Sequence, residues 1–387
     1  MTSRRLGIYA HVPFCLRKCS YCYFVSYPGM PSPEFAESYV DAVLTELEKR
    51  AYERPDGFAG WTLYVGGGTP TTLGTELERL VAGAIGIMSA LGWGRPLEAT
   101  VEANPGTISH RSAARLVASG ADRFSLGVQS MVDEELKAVG RMHSAEDAER
   151  AFDAMRYAGA KSVSIDMIAG LPGQDAVSLT RTLEAVAALS PDHISCYGLT
   201  LEEGTPLFAS HAEGIIEVPD DDAAADLLDM TAEWFKGMGL SRYEISNYAK
   251  PGHESLHNLI YWSDMPYIGL GAAAHSYDPE AMVRSWNVKG VEEYKGLIAA
   301  SGAAEESREA ISVGRAMSDA LILALRTSGG ASLQLIEQRY RARFGPDILN
   351  ALAWAKANAM LEVGEAGTAT LTDRGIMLSN SLFAKLV

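Results

Sequence analysis

The sequence has little of what would place it in several large protein classes. It carries four cysteines in 387 residues, too few for a scaffold built on disulfides. No apolar run approaches the roughly 20 residues of a membrane span. The opening Met1-Thr2-Ser3-Arg4-Arg5 has a basic pair but no long apolar stretch behind it. It fails as a secretory or twin-arginine signal, which predicts a cytoplasmic protein. Positive charge is also in deficit: 33 basic side chains against 49 acidic ones give a net charge of −16. A surface of that sign repels phosphate backbones and argues against general nucleic-acid binding. Internal repeats and low-complexity linkers are missing as well.

What is there is an ordinary globular composition, 47% hydrophobic and 21% charged, in a chain too long for one typical core. The first 200 residues alternate strand-like and helix-like segments. Strands are predicted at Leu6–Val12, Trp61–Val65, Ala99–Glu102, Arg123–Leu126, Ser162–Ile168 and His193–Leu199. Helices are predicted at Glu34–Tyr52, Thr75–Leu91, Ser112–Ser119, Ala145–Ala158 and Ala176–Leu189. This order implies a parallel sheet with right-handed crossovers, and six units in series suit an incomplete α/β barrel. Polar or glycine-bearing segments follow the strands at Cys15–Cys22, Gly66–Pro70, Glu102–Pro105, Gly127–Ser130 and Asp166–Gly173. In a barrel those strand ends meet on one face, where active sites are built.

After Thr200 the pattern changes. Asp220–Gly239 reads as a helix and Ser241–Ser246 as a strand, followed by the aromatic and glycine-rich stretch Asn258–Tyr277. From about Ser307 come three helical segments, Arg308–Arg326, Leu333–Phe344 and Ile348–Asn358. A small wing at Leu361–Val363 and Ala369–Leu371 and a last helix at Gly375–Lys385 complete a winged-helix-like layout. Nine basic against seven acidic residues over 307–387 favour a packing or substrate-covering role over DNA reading. The expected divisions are 1–240, 241–306 and 307–387.

Three of the four cysteines, Cys15, Cys19 and Cys22, lie within eight positions in a C-x3-C-x2-C spacing directly after the first strand. Such a set can fold around one metal centre. Zinc usually takes four protein ligands, and here only His11 offers itself as a weak fourth. A [4Fe–4S] cluster on three thiolates leaves one iron open to a cofactor. Cys196 stands alone in an apolar stretch and reads as a packed strand residue.

C-x3-C-x2-C is the signature of radical S-adenosylmethionine (SAM) enzymes, and the chain resembles them. The resemblance implies that SAM binds the open iron and is cleaved by one electron to methionine and a 5′-deoxyadenosyl radical. A flavodoxin- or ferredoxin-type donor would supply the electron. Ile8-Tyr9-Ala10-His11-Val12-Pro13-Phe14-Cys15 is similar to the start of oxygen-independent coproporphyrinogen III oxidase and its relatives. So are Val65-Gly66-Gly67-Gly68-Thr69-Pro70-Thr71, Val101-Glu102-Ala103-Asn104-Pro105, Ser125-Leu126-Gly127-Val128-Gln129-Ser130 and Asp166-Met167-Ile168-Ala169-Gly170-Leu171-Pro172-Gly173. Tyr243-Glu244-Ile245-Ser246-Asn247-Tyr248-Ala249 and His257-Asn258-Leu259-Ile260-Tyr261-Trp262 resemble the heme-chaperone branch. Nearly the whole chain is covered.

The resemblance implies an α/β fold, an incomplete (β/α)6 TIM-like barrel with a C-terminal winged-helix-like domain. It places Gly67, Gly68 and Thr69 at the methionine end of SAM, Glu102 and Asp166 on its ribose, and Gln129 in the pocket. Arg141 would pair with the methionine carboxylate, and Tyr9 and Tyr21 would flank the cluster. His257, Tyr261 and His275, in a zone shared with Asn258 and Trp262, are the catalytic candidates facing a small-molecule substrate.

The residues after Cys22 bear on the branch. Phe24 stands where the porphyrinogen oxidase usually has another cysteine, and Tyr23 where the chaperone branch usually has aspartate. Cys22-Tyr23-Phe24 looks like the class C radical SAM methylase or cyclopropane-forming branch. Such enzymes are thought to use two SAM molecules, the second donating a carbon to a heteroaromatic or unsaturated metabolite. The alternative is a heme chaperone that binds and delivers heme. Oxidative decarboxylation of coproporphyrinogen III comes third.

Overall fold

The computed structural model describes residues 4–53, 57–364 and 367–387. The Met1-Thr2-Ser3 portion of the N-terminal reading lies outside them. Six parallel strands run in sequence order: β1 (Leu6–Val12), β2 (Trp61–Gly67), β3 (Glu98–Ala103), β4 (Arg123–Gln129), β5 (Ser162–Ala169) and β6 (His193–Gly198). The principal crossover helices are Pro33–Tyr52, Thr75–Ala90, His110–Ser119, Ala145–Tyr157 and Ala176–Leu189. Local sequence sets their starts. Ser32 caps Pro33–Tyr52 by accepting from the Phe35 N–H, and Ser109, Ser144 and Asp175 each form a reciprocal capping box.

Both edges of this sheet are extended. Beyond β6 lies the antiparallel pair β7 (Ser241–Glu244) and β8 (Asn247–Ala249), with β8 against β6. Beyond β1 lie β9 (Tyr267–Leu270), parallel to it, then β10 (His275–Asp278), β11 (Val283–Asn287) and β12 (Glu305–Ala310), all antiparallel. The order is β12-β11-β10-β9-β1-β2-β3-β4-β5-β6-β8-β7, and the two outer strands are not paired with each other. The sheet is therefore open among the described residues, the expected α/β architecture of an incomplete barrel.

The strands alternate strictly in chemistry. Leu63, Val65, Ala99, Val101, Phe124, Leu126, Val163, Ile165 and Ile194 are at most 1% exposed and join the main apolar core. The intervening positions carry Tyr9, Thr62, Tyr64, Thr100, Glu102, Arg123, Ser125, Ser164, Asp166, His193 and Ser195. Side chains of successive residues point to opposite faces of a strand. One face is thus an ordinary core, and the other is a buried polar interior. Burial of that many polar groups requires hydrogen-bond partners, and these lead into the site.

Several expectations shift. The strand expected over Ser241–Ser246 stops at Glu244 and is the first arm of the β7–β8 hairpin, whose turn Glu244 holds by accepting from the Ser246 N–H. Asn258–Tyr277 resolves into the helix Leu256–Trp262 and strands β9 and β10. The helix expected from Arg308 starts at Val313, where Ser312 caps it. The residues before it form the exposed strand β12. The division expected between 306 and 307 falls inside that strand. Past Ala310 the helices Val313–Leu325, Leu333–Tyr340 and Pro346–Ala357 pack with a sheet ordered Ala331–Ser332, Thr368–Leu371, Leu361–Val363. They share a second core containing Met317, Leu321, Leu325, Leu352, Ala355 and Leu382, a winged-helix-like arrangement. The expected last helix is two, Asp373–Met377 and Ser379–Leu386. Among the described residues no helix is long and apolar enough to cross a membrane.

Candidate active site

Two cavities open where the polar interior meets the ends of the strands. The first, about 480 Å³, is lined by Cys15, Cys19, Tyr21, Cys22, Gly67, Gly68, Thr69, Glu102, Gln129, Arg141 and Asp166 among others. It therefore gathers the three clustered cysteines and all but one of the expected SAM contacts. Cys196 is elsewhere, 4% exposed in β6, its thiol against Thr231 Oγ1.

The cysteine loop is held by backbone and side chains together. Phe14 and Cys15 pair with Tyr27 and Pro28 in a two-stranded ribbon. The Gly68 and Thr69 N–H groups donate to Val12 and Phe14 carbonyls at 2.8 and 2.7 Å. A Cβ on Gly68 would lie 2.6 Å from the Phe14 oxygen, so the close approach requires glycine. Thr69 Oγ1 donates to Cys15 Sγ at 3.6 Å, and Arg141 Nη1 to Cys19 Sγ at 3.6 Å. Asn104 links the two donors, giving a hydrogen bond to Thr69 Oγ1 at 2.8 Å and accepting from Arg141 Nη2 at 2.9 Å. Burial holds the Cys15 and Cys22 thiols above their usual range.

Deeper in, Glu102 accepts from the Tyr64 hydroxyl at 2.7 Å and the Gly67 N–H at 3.0 Å. Burial is the main cause that lifts its pKa to about 7; the nearby Asp166 charge pushes the same way, against the hydrogen bond from Tyr64. Asp166 accepts from Ser125 Oγ at 3.0 Å on both oxygens, and burial raises it too.

The second cavity, about 650 Å³, lies on the β1–β9–β10 side and is mostly aromatic. Its walls include Tyr9, Tyr261, Trp262, Tyr267, Tyr277 and His275, with Asp264 and Arg284 as charged groups. Tyr23 and Phe24 line both cavities. Their rings stack at 4.6 Å and are 60% and 56% exposed.

Three expected site residues lie differently from the rest. Tyr9 lines the second cavity rather than the first, its hydroxyl 2.8 Å from His11 Nδ1. His257 is fully buried and lines neither cavity. Its Nδ1 is 2.8 Å from Thr62 Oγ1 and its Nε2 2.8 Å from the Tyr261 hydroxyl, and burial drops its pKa to about 3. Of its two hydrogen-bond partners, Tyr261 lines the second cavity. His275 faces the cavity, stacked on Trp286 at 5.7 Å. Asn104, Ser125, Asp264 and Arg284 were not singled out from the sequence as site residues. For Ser125 the signal was available as a polar residue at an inward position of an otherwise apolar strand.

A model of the radical SAM superfamily matches residues 9–186. The heme chaperone HemW of Bacillus subtilis (strain 168) is 31% identical over 384 residues, 97% of this chain and 97% of that protein. HemW of Mycobacterium tuberculosis (strain ATCC 25618 / H37Rv) is 31% identical over 388 residues, 100% and 96% of the two chains. The solved structure of coproporphyrinogen III oxidase (HemN) from Escherichia coli, a radical SAM enzyme, superposes with a TM-score of 0.81. It is 24% identical, with 99% of this chain and 90% of that chain covered. Residues 9–186 are thus a radical SAM superfamily domain. The chain as a whole belongs to the HemW-like family and shares its fold with HemN.

That membership implies a [4Fe–4S] cluster and SAM, and the residues present fit both. Among the described residues no three His, Cys, Asp or Glu side chains converge to hold a single metal ion. A multi-iron cluster does not ask its three thiolates to converge on one ion. N–H and O–H donors already point at two of the sulfurs, as ligating sulfurs require. The buried Arg141 Nε has no hydrogen-bond partner among the described residues.

Proposed function

We propose that this chain is a heme-handling radical SAM protein, which binds heme and passes it to an acceptor. The observation that carries the reading is likeness over essentially full length to proteins named heme chaperones, joined to a separate aromatic cavity of suitable kind. Ligand sites are concave and mostly apolar, with a few placed polar groups, and about 650 Å³ of mainly aromatic wall suits a flat tetrapyrrole. His275 supplies an imidazole on that wall with no hydrogen bond to either ring nitrogen among the described residues, and is our choice of iron ligand.

In the first cavity Cys15, Cys19 and Cys22 hold the cluster, with Thr69 and Arg141 donating to the sulfurs. Arg141 also meets the methionine carboxylate, a charge-assisted pairing. Glu102 and Asp166 receive the ribose hydroxyls, and Gly67 and Gly68 let the backbone approach. When bound, the cluster and SAM supply one-electron chemistry and a carbon-centred radical; the protein positions and shields them. A flavodoxin- or ferredoxin-type protein delivers the electron, and the site works in the cytoplasm.

A second reading, SAM-derived carbon transfer to an aromatic or unsaturated metabolite with two SAM molecules, is favoured by one observation. The stacked Tyr23 and Phe24 bridge the two cavities, where a flat substrate could lie beside the radical source. Product analysis separates the readings. Reduced, reconstituted protein loaded with hemin should transfer it to an apo-hemoprotein. Formation of S-adenosylhomocysteine with methylated metabolite, and no heme transfer, would favour the second.

A further inference from the structure

Arg284 stands on β11 with its side chain on the wall of the aromatic cavity. One of its nitrogens, Nη2, donates to Asp319 Oδ2 at 2.6 Å. The same carboxylate is claimed by a second guanidinium, with Arg315 Nε 2.9 Å from Asp319 Oδ1. Asp319 is thus shared by two guanidiniums, and Glu309 stands opposite Arg284 in the β11–β12 register. Asp319 takes up Nη2 alone, so the rest of the Arg284 fork has no hydrogen bond among the described residues. Asp264, the other charged group on the wall, is matched through Oδ2 by Arg339 at 3.1 Å and by the Tyr340 hydroxyl at 2.6 Å, while its buried Oδ1 has no hydrogen-bond partner among the described residues. A second donor, the buried indole N–H of Trp262, belongs to a residue lining the same cavity and has no hydrogen-bond partner among the described residues. An indole nitrogen can only donate, so it too awaits an acceptor.

We infer that Arg284, assisted by the Trp262 indole N–H, is a specificity-determining anchor for a carboxylate on the planar ligand of the second cavity. A guanidinium fork matches a carboxylate in geometry as well as charge. The aromatic walls then take the ring system and the arginine end fixes its orientation. The inference rests on the heme-handling reading, in which the carboxylates are the propionates.

The test compares hemin with its dimethyl ester, which keeps the ring and iron and loses both negative charges. Soret titrations are run on wild type, Arg284→Gln and Arg284→Lys, with Tm and far-UV spectra recorded for each. Wild type should bind hemin more tightly than the ester, and Arg284→Gln should lose about tenfold for hemin while barely changing for the ester. Arg284→Lys keeps charge without the fork and should fall between. That variant also carries the test if Arg284→Gln is poorly folded. Equal binding of hemin and ester by wild type, unaltered by either variant, overturns the anchor and leaves the heme reading standing. Failure of wild type to bind either compound overturns both.

Discussion

Two histidines of the aromatic zone show how burial separates roles that composition cannot. His257 fills a closed site between Thr62 and Tyr261, whereas His275 is on a cavity wall. Replacing His257 by Leu leaves two buried hydroxyls without a partner. It should cost roughly 2–6 kcal/mol in stability, at about 1–3 kcal/mol for each orphaned group. His275→Ala removes a partly exposed ring and should leave the denaturation midpoint nearly unchanged while altering the Soret spectrum of the heme complex. Chemical denaturation and hemin titration on both variants check this pair. Glu102 makes a prediction of the opposite kind. Its pKa rises on folding from 4.5 to about 7, so between those values the folded protein holds a proton that the unfolded chain releases. Stability therefore falls as pH rises through that window, and the loss is complete above it. Glu102→Gln should remove part of the fall, seen by comparing denaturant midpoints at pH 5 and 8 for both proteins. The cysteines divide in the same residue-by-residue way. Cys15→Ala, Cys19→Ala or Cys22→Ala should each abolish cluster incorporation and reductive cleavage of SAM. Cys196→Ala, buried against Thr231, should spare both, as iron analysis and 5′-deoxyadenosine assay will report.

At the scale of elements, most of the parallel sheet was legible in the sequence. Apolar runs of strand length and capped amphipathic helices alternate through residue 198, and β1 to β6 lie within a few residues of expectation. The convergence of the post-strand segments was also legible, since Cys15, Gly68, Glu102, Gln129 and Asp166 do share one cavity. What was not legible follows from tertiary context. Strand β12, Glu-Glu-Ser-Arg-Glu-Ala, is exposed throughout and has no apolar alternation to read. It exists because β11 offers it an edge. The turn between β7 and β8 depends on Glu244 hydrogen bonds to Ser246 and Asn247, which no local propensity announces. Placing Tyr9 in one cavity and Tyr21 in the other required knowing which way each side chain leaves the backbone. One element-scale prediction concerns the Gly66–Thr69 segment. Gly68→Ala forces a Cβ against the Phe14 carbonyl, a rigid neighbour. It should cost about 1–3 kcal/mol by overpacking and weaken cluster retention. The Arg123–His193 region below should be little affected, and hydrogen exchange of β4 to β6 amides would localise the damage.

For the whole molecule the decisive feature is that one chain carries two separate cavities with Tyr23 and Phe24 as a shared wall. The C-terminal helices contribute to the second: Leu323 lines it, and Arg339 and Tyr340 hold Asp264 at its wall. The separation of the cavities also implies that heme binding should survive loss of the cluster. The most direct test of the account is an anaerobic hemin titration, followed by the Soret band, on the reconstituted protein and on the Cys15→Ala/Cys19→Ala/Cys22→Ala variant. The account predicts saturation at one equivalent in both, with the iron–sulfur absorption of the reconstituted protein unchanged. Hemin binding that fails to saturate, or that displaces the cluster, would contradict it.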